Sequence, residues 1–203
     1  MRTSTFRAIS GDYKVSDIKV SGAPGGGNDT AQLMNADGTW GTTYTYLTED
    51  EMGVPDGWYK DGFGDEAVTD EDVIMKGQAF IISSPAEFTL TVSGVVEAGI
   101  VSVDVPTGWS IIGNPTPVAV KISDIIMTGA AGGGNDTAQK MQASGKWGQM
   151  YTYLTEDEMG VADGWYRAGF GDEAVTDEDT LEPGESMIFS SVNSAVLKFP
   201  AVL

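Results

Sequence analysis

The segment "YTYLTEDEMGV" occupies residues 44–54 and returns unchanged at residues 151–161. Its opening letters alternate tyrosine with threonine, and this period of two is typical of a β-strand with one buried face. The acidic letters that follow break the alternation and predict a loop. The chain therefore contains two copies of a predicted strand followed by an acidic loop.

The duplication extends well beyond this segment. "GGGNDTAQ" begins at Gly25 and again at Gly132, an offset of 132 − 25 = 107 residues, and 39 of the 48 positions aligned from there without a gap are identical. A repeat of this length is close to the size of a small domain. We divide the chain into a first copy, residues 1–97, and a second copy, residues 98–203.

The sequence of each copy predicts a series of β-strands. Runs of four to eight residues rich in valine, isoleucine, threonine and aromatic residues lie between glycine, proline, asparagine and aspartate, as expected for strands separated by turns. No run keeps a helical spacing of apolar residues over three turns. The sequence predicts an all-β protein with two tandem β-sandwich or jelly-roll-like domains.

The copies differ where they begin. The second opens with "GIVSVDVPTGWSIIGNPTP" at residues 99–117, whereas the first has only "MRTSTFRAIS" at residues 1–10 to match it. An opening strand is missing from the first copy, which should expose a sheet edge. Such an edge is normally either blunted or filled by another chain.

Composition excludes several classes of function. The 203 residues contain no cysteine and no histidine, so disulfides, thiolate zinc sites and the commonest general base are absent, and we expect no enzyme activity. The net charge of −19 would repel nucleic-acid phosphates. No apolar run is long enough for a membrane helix and no signal peptide is recognised, so we expect no membrane insertion.

The negative charge is concentrated in two equivalent loops. Residues 49–72 carry a net charge of −9 and residues 156–179 a net charge of −8. Three interpretations compete: a solvated surface, a calcium site, and paired carboxylates for glycoside hydrolysis. The candidate calcium ligands are Asp61, Asp65, Glu66, Asp70 and Asp72 in the first copy and Asp172, Glu173, Asp177 and Asp179 in the second.

Aromatic residues recur in register between the copies. Tyr44 and Tyr46 alternate within a strand, which favours core packing. The "DGWY" motif differs because it lies inside the acidic loop. We expect its rings either to fasten the loop to the sandwich or, where exposed, to form a surface for protein or sugar contacts. These rings are Trp58 and Tyr59 with their equivalents Trp165 and Tyr166.

The stretch "GAPGGGNDT" at residues 22–30 is similar to phosphate-cradling loops. The lysine position of such a loop is occupied by Asn28, and no long helix is predicted after it. A flexible turn between two strands is the simpler interpretation.

"GWSIIGNPTP" at residues 108–117, followed by "LEPGESMIFSS" at residues 181–191, resembles repeat modules of exported bacterial surface proteins. Those modules carry a G-W-x-x-[IV]-G-N-P opening and an L-x-P-G-[EQ]-[GS]-[FM] ending. The resemblance implies non-catalytic β-rich units used for display or assembly. The first copy lacks this opening, and its ending reads "IMKGQAFIISS" at residues 74–84.

The sequence therefore predicts a non-catalytic structural or interaction protein. It would assemble with itself or with other structural proteins into a larger particle or surface layer, either in a virion, for example as capsid decoration, or at a cell surface. The alternative is a calcium-dependent carbohydrate-binding adhesin, with calcium as the one expected cofactor and a glycan as its partner.

Overall fold

A computed structural model gives the fold. It describes residues 12–24, 26–48, 53–60, 66–91, 96–142, 144, 146–155, 160–168 and 173–201. These residues form antiparallel β-sheets and two short 3-10 helices, with no α-helix in any of those ranges. The prediction of an all-β protein is confirmed. The finer jelly-roll arrangement and the division into two domains remain predictions.

The first copy contributes eight strands among its described residues. Their lengths are two to eight residues, and a 3-10 turn at Val15–Asp17 follows the first strand. The strands are β1 (Tyr13–Lys14), β2 (Lys19–Ser21), β3 (Thr30–Met34), β4 (Trp40–Leu47), β5 (Gly57–Lys60), β6 (Val73–Ile74), β7 (Ile81–Ser83) and β8 (Thr89–Thr91).

The second copy repeats this order and adds to it. Two strands precede the repeated set, and one short strand lies within its acidic loop. The strands are β9 (Val101–Val105), β10 (Gly108–Gly113), β11 (Val120–Lys121), β12 (Ile126–Thr128), β13 (Asp136–Met141), β14 (Trp147–Leu154), β15 (Gly164–Arg167), β16 (Glu173–Ala174), β17 (Thr180–Leu181), β18 (Ser186–Ser191) and β19 (Ala195–Phe199).

Equivalent strands pair in the same order in both copies. The first copy has a four-stranded sheet, β5-β4-β3-β7, and the pairs β2-β8 and β1-β6. The second copy has a six-stranded sheet, β10-β18-β13-β14-β15-β16, a three-stranded sheet, β12-β19-β9, and the pair β11-β17. The second copy's larger sheets contain its two extra opening strands, β9 and β10, and the short strand β16 of its acidic loop.

Alternating side chains build the core of the second copy. Along β9, Val101, Val103 and Val105 are buried while Ser102 and Asp104 are exposed, as the period of a strand requires. They join one apolar cluster with residues of the six-stranded sheet and of β12 and β19. These include Ile112, Met127, Ala138, Tyr151, Tyr153, Trp165, Met187, Phe189, Leu197 and Phe199.

The first copy has a smaller core of the same design. Tyr46 and Trp58 pack edge to face with ring centroids 5.3 Å apart, and the equivalent Tyr153 and Trp165 do the same at 5.1 Å. Such contacts stabilise a core beyond the burial of their area. The core placement expected for the strand tyrosines is confirmed, since Tyr44, Tyr46 and their equivalents are all buried.

Strand β10 contacts both copies. One of its edges pairs with β18 over all six residues. From the other edge the Trp109 N–H donates to the Ala36 carbonyl at 2.8 Å, Ile111 accepts from the Ala79 N–H at 2.9 Å, and the Gly113 N–H donates to Gly77 at 2.9 Å. This strand therefore joins the first copy to the second through its backbone.

Apolar packing accompanies these hydrogen bonds. Ile111 and Ile188 of the second copy are buried against Ala79 of the first, with Met34 and Ile81 packed around them. The exposed edge expected for the first copy is thus partly covered within the chain. In the two-stranded sheet β2-β8, by contrast, β8 pairs only with β2 among the described residues. The part of the first copy that the structure describes contains no counterpart of β9.

Two glycines allow this close approach. Gly108 has a φ of +94°, and a Cβ atom placed there would overlap the Ala36 carbonyl oxygen. Gly77 has a φ of +78°, and a Cβ atom there would overlap the side chain of Val103. Each glycine therefore meets both a conformational and a steric requirement.

Gly108→Ala should destabilise the protein by about 2 kcal/mol more than Gly99→Ala. Both glycines have a φ of +94°, but nothing lies within 4 Å of a Cβ at Gly99, so both variants carry the backbone strain and Gly108→Ala alone carries the overlap. Urea denaturation followed by circular dichroism measures both free energies of unfolding. Equal losses would show that β10 does not need this close approach.

Candidate interaction site

Each acidic loop is fastened by one buried carboxylate at its end. Asp179, 7% exposed, accepts hydrogen bonds from the Tyr151 hydroxyl at 3.0 Å and from the Thr176 N–H at 2.7 Å, and pairs with Arg167 at 2.9 Å. Asp72 in the first copy is equally buried and has the equivalent contacts, with Lys60 in place of arginine. The acidic loop thus returns to the sheet through an ion pair whose carboxylate is buried and whose cation is partly exposed.

These contacts shift the pKa values of the groups involved. Burial acts to raise the pKa of Asp179, but hydrogen bonds from Thr176, Arg167 and Tyr151 outweigh it and lower the pKa below its usual value. The pKa of Asp72 is lowered by the same balance, with Lys60 as the cation. Burial and the adjacent Asp72 carboxylate raise the pKa of Tyr44 to about 12.

The other described acids of the loops lie at the surface. Asp70 pairs with Lys14 at 2.8 Å, Asp177 pairs with Lys121 at 2.9 Å, and Glu173 pairs with Arg167 at 3.4 Å. Glu66 is exposed, and its carbonyl oxygen accepts the Lys60 N–H. Such exposed ion pairs contribute little to stability.

Only some of the predicted calcium ligands are among the residues that the structure describes. Asp61, Asp65 and Asp172 lie outside the residues that the structure describes. Within the described ranges, no three histidine, cysteine, aspartate or glutamate residues are grouped so as to hold a metal ion. Asp72 and Asp179 are engaged by protein donors. Calcium binding by these loops therefore remains a prediction.

The glycine-rich loop is held by its own aspartate. In the second copy, Asp136 is buried and accepts the backbone N–H groups of Ala131, Gly132 and Val192 together with the Ser191 hydroxyl. In a phosphate-binding loop such N–H groups would face the ligand. Here the Asp136 carboxylate accepts the N–H groups of Ala131 and Gly132, the two that belong to the loop. This supports the interpretation of the loop as a turn.

Three of the four "DGWY" rings are buried, so these three do not form an exposed aromatic surface. Trp58 is 3% exposed, Tyr59 is 6% exposed and Trp165 is 2% exposed. They lie within β5 and β15, which pair with β4 and β14 and bring the tryptophans into the core. Tyr166 is half-buried, and its hydroxyl donates to the Ala162 carbonyl at 2.9 Å.

Two other tryptophans are exposed at equivalent positions. Trp40 is 46% exposed and Trp147 is 51% exposed. Each begins the long strand that follows a tight turn and lies opposite a methionine, Met34 or Met141. In the sequence, these two tryptophans recur in register like the other aromatic residues, and the repeat alone does not distinguish them as exposed. The polar letters before them, "NADGT" and "QASGK", are the signal that a turn precedes each ring.

Comparison with protein-family models, with curated proteins and with solved structures found no match. Among the described residues there is no helix whose length and apolar character would let it cross a membrane.

Asp179→Asn should destabilise the protein by about 2 kcal/mol near neutral pH, because it removes a buried carboxylate that accepts hydrogen bonds from Thr176, Tyr151 and the partly exposed Arg167. The lowered pKa of Asp179 means that this stabilisation is present above the unfolded carboxyl pKa, near 4, and is lost as pH falls through the folded value. Denaturation curves measured from pH 7 downward should therefore show the difference between wild type and variant shrinking once the pH falls below about 4.

Asp177→Asn is the matched control for this prediction. Its side chain is 83% exposed and makes only a surface ion pair, so its loss should stay within about 0.5 kcal/mol. If Asp179→Asn behaved like Asp177→Asn at neutral pH, the buried carboxylate would not be what fastens the loop.

Proposed function

We propose that this chain is a non-catalytic structural protein that assembles with further copies of itself into a larger particle or surface layer, as in virion decoration or display at a cell surface. Contacts between its β-rich copies would hold the assembly together.

The exposure of Trp40 and Trp147 carries the proposal. Tryptophan is among the residues that contribute most to protein interfaces, and large exposed apolar side chains mark contact sites when they are grouped. Met150, also exposed, lies on the same strand as Trp147. Because each copy has an exposed tryptophan at this position, one chain offers two contacts. Two contacts on one chain allow open, repeating assemblies.

The acidic loops are consistent with a non-catalytic function. Their buried aspartates hold protein groups, and their exposed acids face solvent. A net charge of −19 opposes self-association at low ionic strength. Assembly through apolar rings should therefore strengthen as salt screens this repulsion, and calcium bound by the loops would strengthen it further.

The alternative is a calcium-dependent carbohydrate-binding adhesin. The same exposed rings, Trp40 and Trp147, support it because tryptophan faces can stack on sugars. Binding to a glycan array in calcium buffer that is lost on Trp40→Ala with Trp147→Ala, without any self-association of the wild type, would favour this alternative.

The proposal predicts a concentration-dependent increase in sedimentation coefficient for the wild type. We expect the Trp40→Ala, Trp147→Ala double variant to weaken self-association by at least about tenfold, equivalent to about 1.4 kcal/mol. Sedimentation velocity over a range of protein concentrations, with calcium and with sodium chloride of matched ionic strength, measures this. Each single variant should lie between the wild type and the double variant.

Val192→Ala is the control, since Val192 is 54% exposed but lies in the turn before β19. It should leave self-association unchanged. A wild type that stays monomeric at every concentration in both buffers would contradict the proposal. Association of the double variant at wild-type strength would contradict the role given to the two tryptophans.

A further inference from the structure

A groove with a volume of about 820 Å³ lies between the two copies. Its lining includes residues 102–106 and the start of β19 from the second copy, residues of β10, and Met75, Lys76 and Gln78 from the first copy. A volume of this size is within the range of ligand-binding clefts. The groove is built from residues of both copies.

β9 lines the groove through residues 102–106. Their side chains point alternately to opposite faces of the sheet. Over the described chain, β9 pairs with β19 alone. Within the described ranges, every second residue on its other edge therefore has an N–H and a C=O without a strand partner.

The interior of the groove suits an extended chain. Met34, Met75 and Trp109 supply apolar lining. Ser110 also lines the groove, and its buried hydroxyl has no hydrogen-bond partner among the described residues. A buried hydroxyl without a partner costs free energy that a peptide group close to it would recover.

The uncompensated charge of the groove is negative. Its one lining cation, Lys76, is already paired with Glu97 at 2.8 Å. Asp12 accepts the backbone N–H of Lys76 at 3.2 Å, and Asp104 is exposed with no cation bound to it in the described ranges. The cation nearest in register, Lys198, lies opposite Ser102 on the neighbouring strand and does not line the groove.

We propose that this groove binds an extended segment of a partner protein that carries lysine or arginine, as an additional strand on β9. The free edge would supply main-chain hydrogen bonds, the apolar lining would take alternate side chains, and Asp12 and Asp104 would attract the basic residue. This inference rests on the proposed function, because it treats the chain as an interaction module. It adds a second surface, centred on β9 rather than on Trp40 and Trp147, and the chemistry of its partner.

The test uses the monomeric fraction of the full chain and three labelled peptides. The probe is an acetylated Thr-Val-Lys-Val-Thr-Val amide. A second peptide has Glu in place of Lys, and a third has Pro in place of the central Val, which removes a strand hydrogen bond. We expect the probe to shift the amide resonances of residues 102–106 and to bind at least about tenfold more tightly than either control in fluorescence anisotropy.

Charge reversal at the groove provides the matched variants. Asp104→Lys should abolish the preference for the lysine peptide over the glutamate peptide. Glu178→Lys makes the same charge change on an exposed residue outside the groove and should leave the preference intact. An unchanged preference in Asp104→Lys would overturn the proposal, as would unshifted resonances of residues 102–106 at about millimolar peptide.

Two further outcomes would overturn the choice of partner. Tighter peptide binding by an Arg2→Glu, Arg7→Glu variant would mean that the chain's own amino-terminal segment competes for the groove. Dissociation of oligomers by the peptide would mean that a second copy occupies it. Because binding is measured on monomers, loss of peptide binding with tryptophan-dependent assembly intact would overturn this inference and leave the proposed function standing.

Discussion

The backbone hydrogen bonds of β10 to both copies are the constraint on which the rest of the structure depends. A strand in the interior of a protein must find partners for the N–H and C=O groups of both edges. β10 finds them in β18 on one side and in residues 36, 77 and 79 on the other. The positive φ of Gly108 and the apolar contact around Ile111 follow from that position, and residues of β10 line the groove beside β9.

The two copies are unequal because their opening strands are not duplicated. The three-stranded sheet of the second copy corresponds to a two-stranded sheet in the first. The Trp165 indole donates to the Ile125 carbonyl at 2.9 Å, while the indole N–H of the equivalent Trp58 has no partner within the described chain. An unpaired buried donor is destabilising. By its own contacts alone, the first copy should be the less stable of the two.

Much of the fold could be predicted from the sequence because it depends on local patterns. Alternation gave the strands, and burial of Tyr44 and Tyr46 with their equivalents follows from it. Trp58 was harder, because its surrounding acids predict a loop while four residues of β5 form a strand that buries it. The burial of Trp58 results from the pairing of β5 with β4. This pairing cannot be recognised in a short segment of sequence.

The candidate sites show the same limit. Turn letters before Trp40 and Trp147 could have identified both rings as exposed. The role of β10 could not have been found that way, since "GWSIIG" reads as an ordinary strand and its second set of partners lies about 30 residues away or more in the chain. Contacts between distant segments depend on the packing of the whole molecule rather than on spacing.

Native-state hydrogen exchange of the two cores tests the central claim most directly. If β10 couples the copies, the slowest amides of β3 and β4 and those of β13 and β14 should exchange through the same global opening, with free energies equal within about 1 kcal/mol despite the smaller core of the first copy. Opening of the first copy at a free energy lower by several kcal/mol, with β13 and β14 still protected, would contradict it.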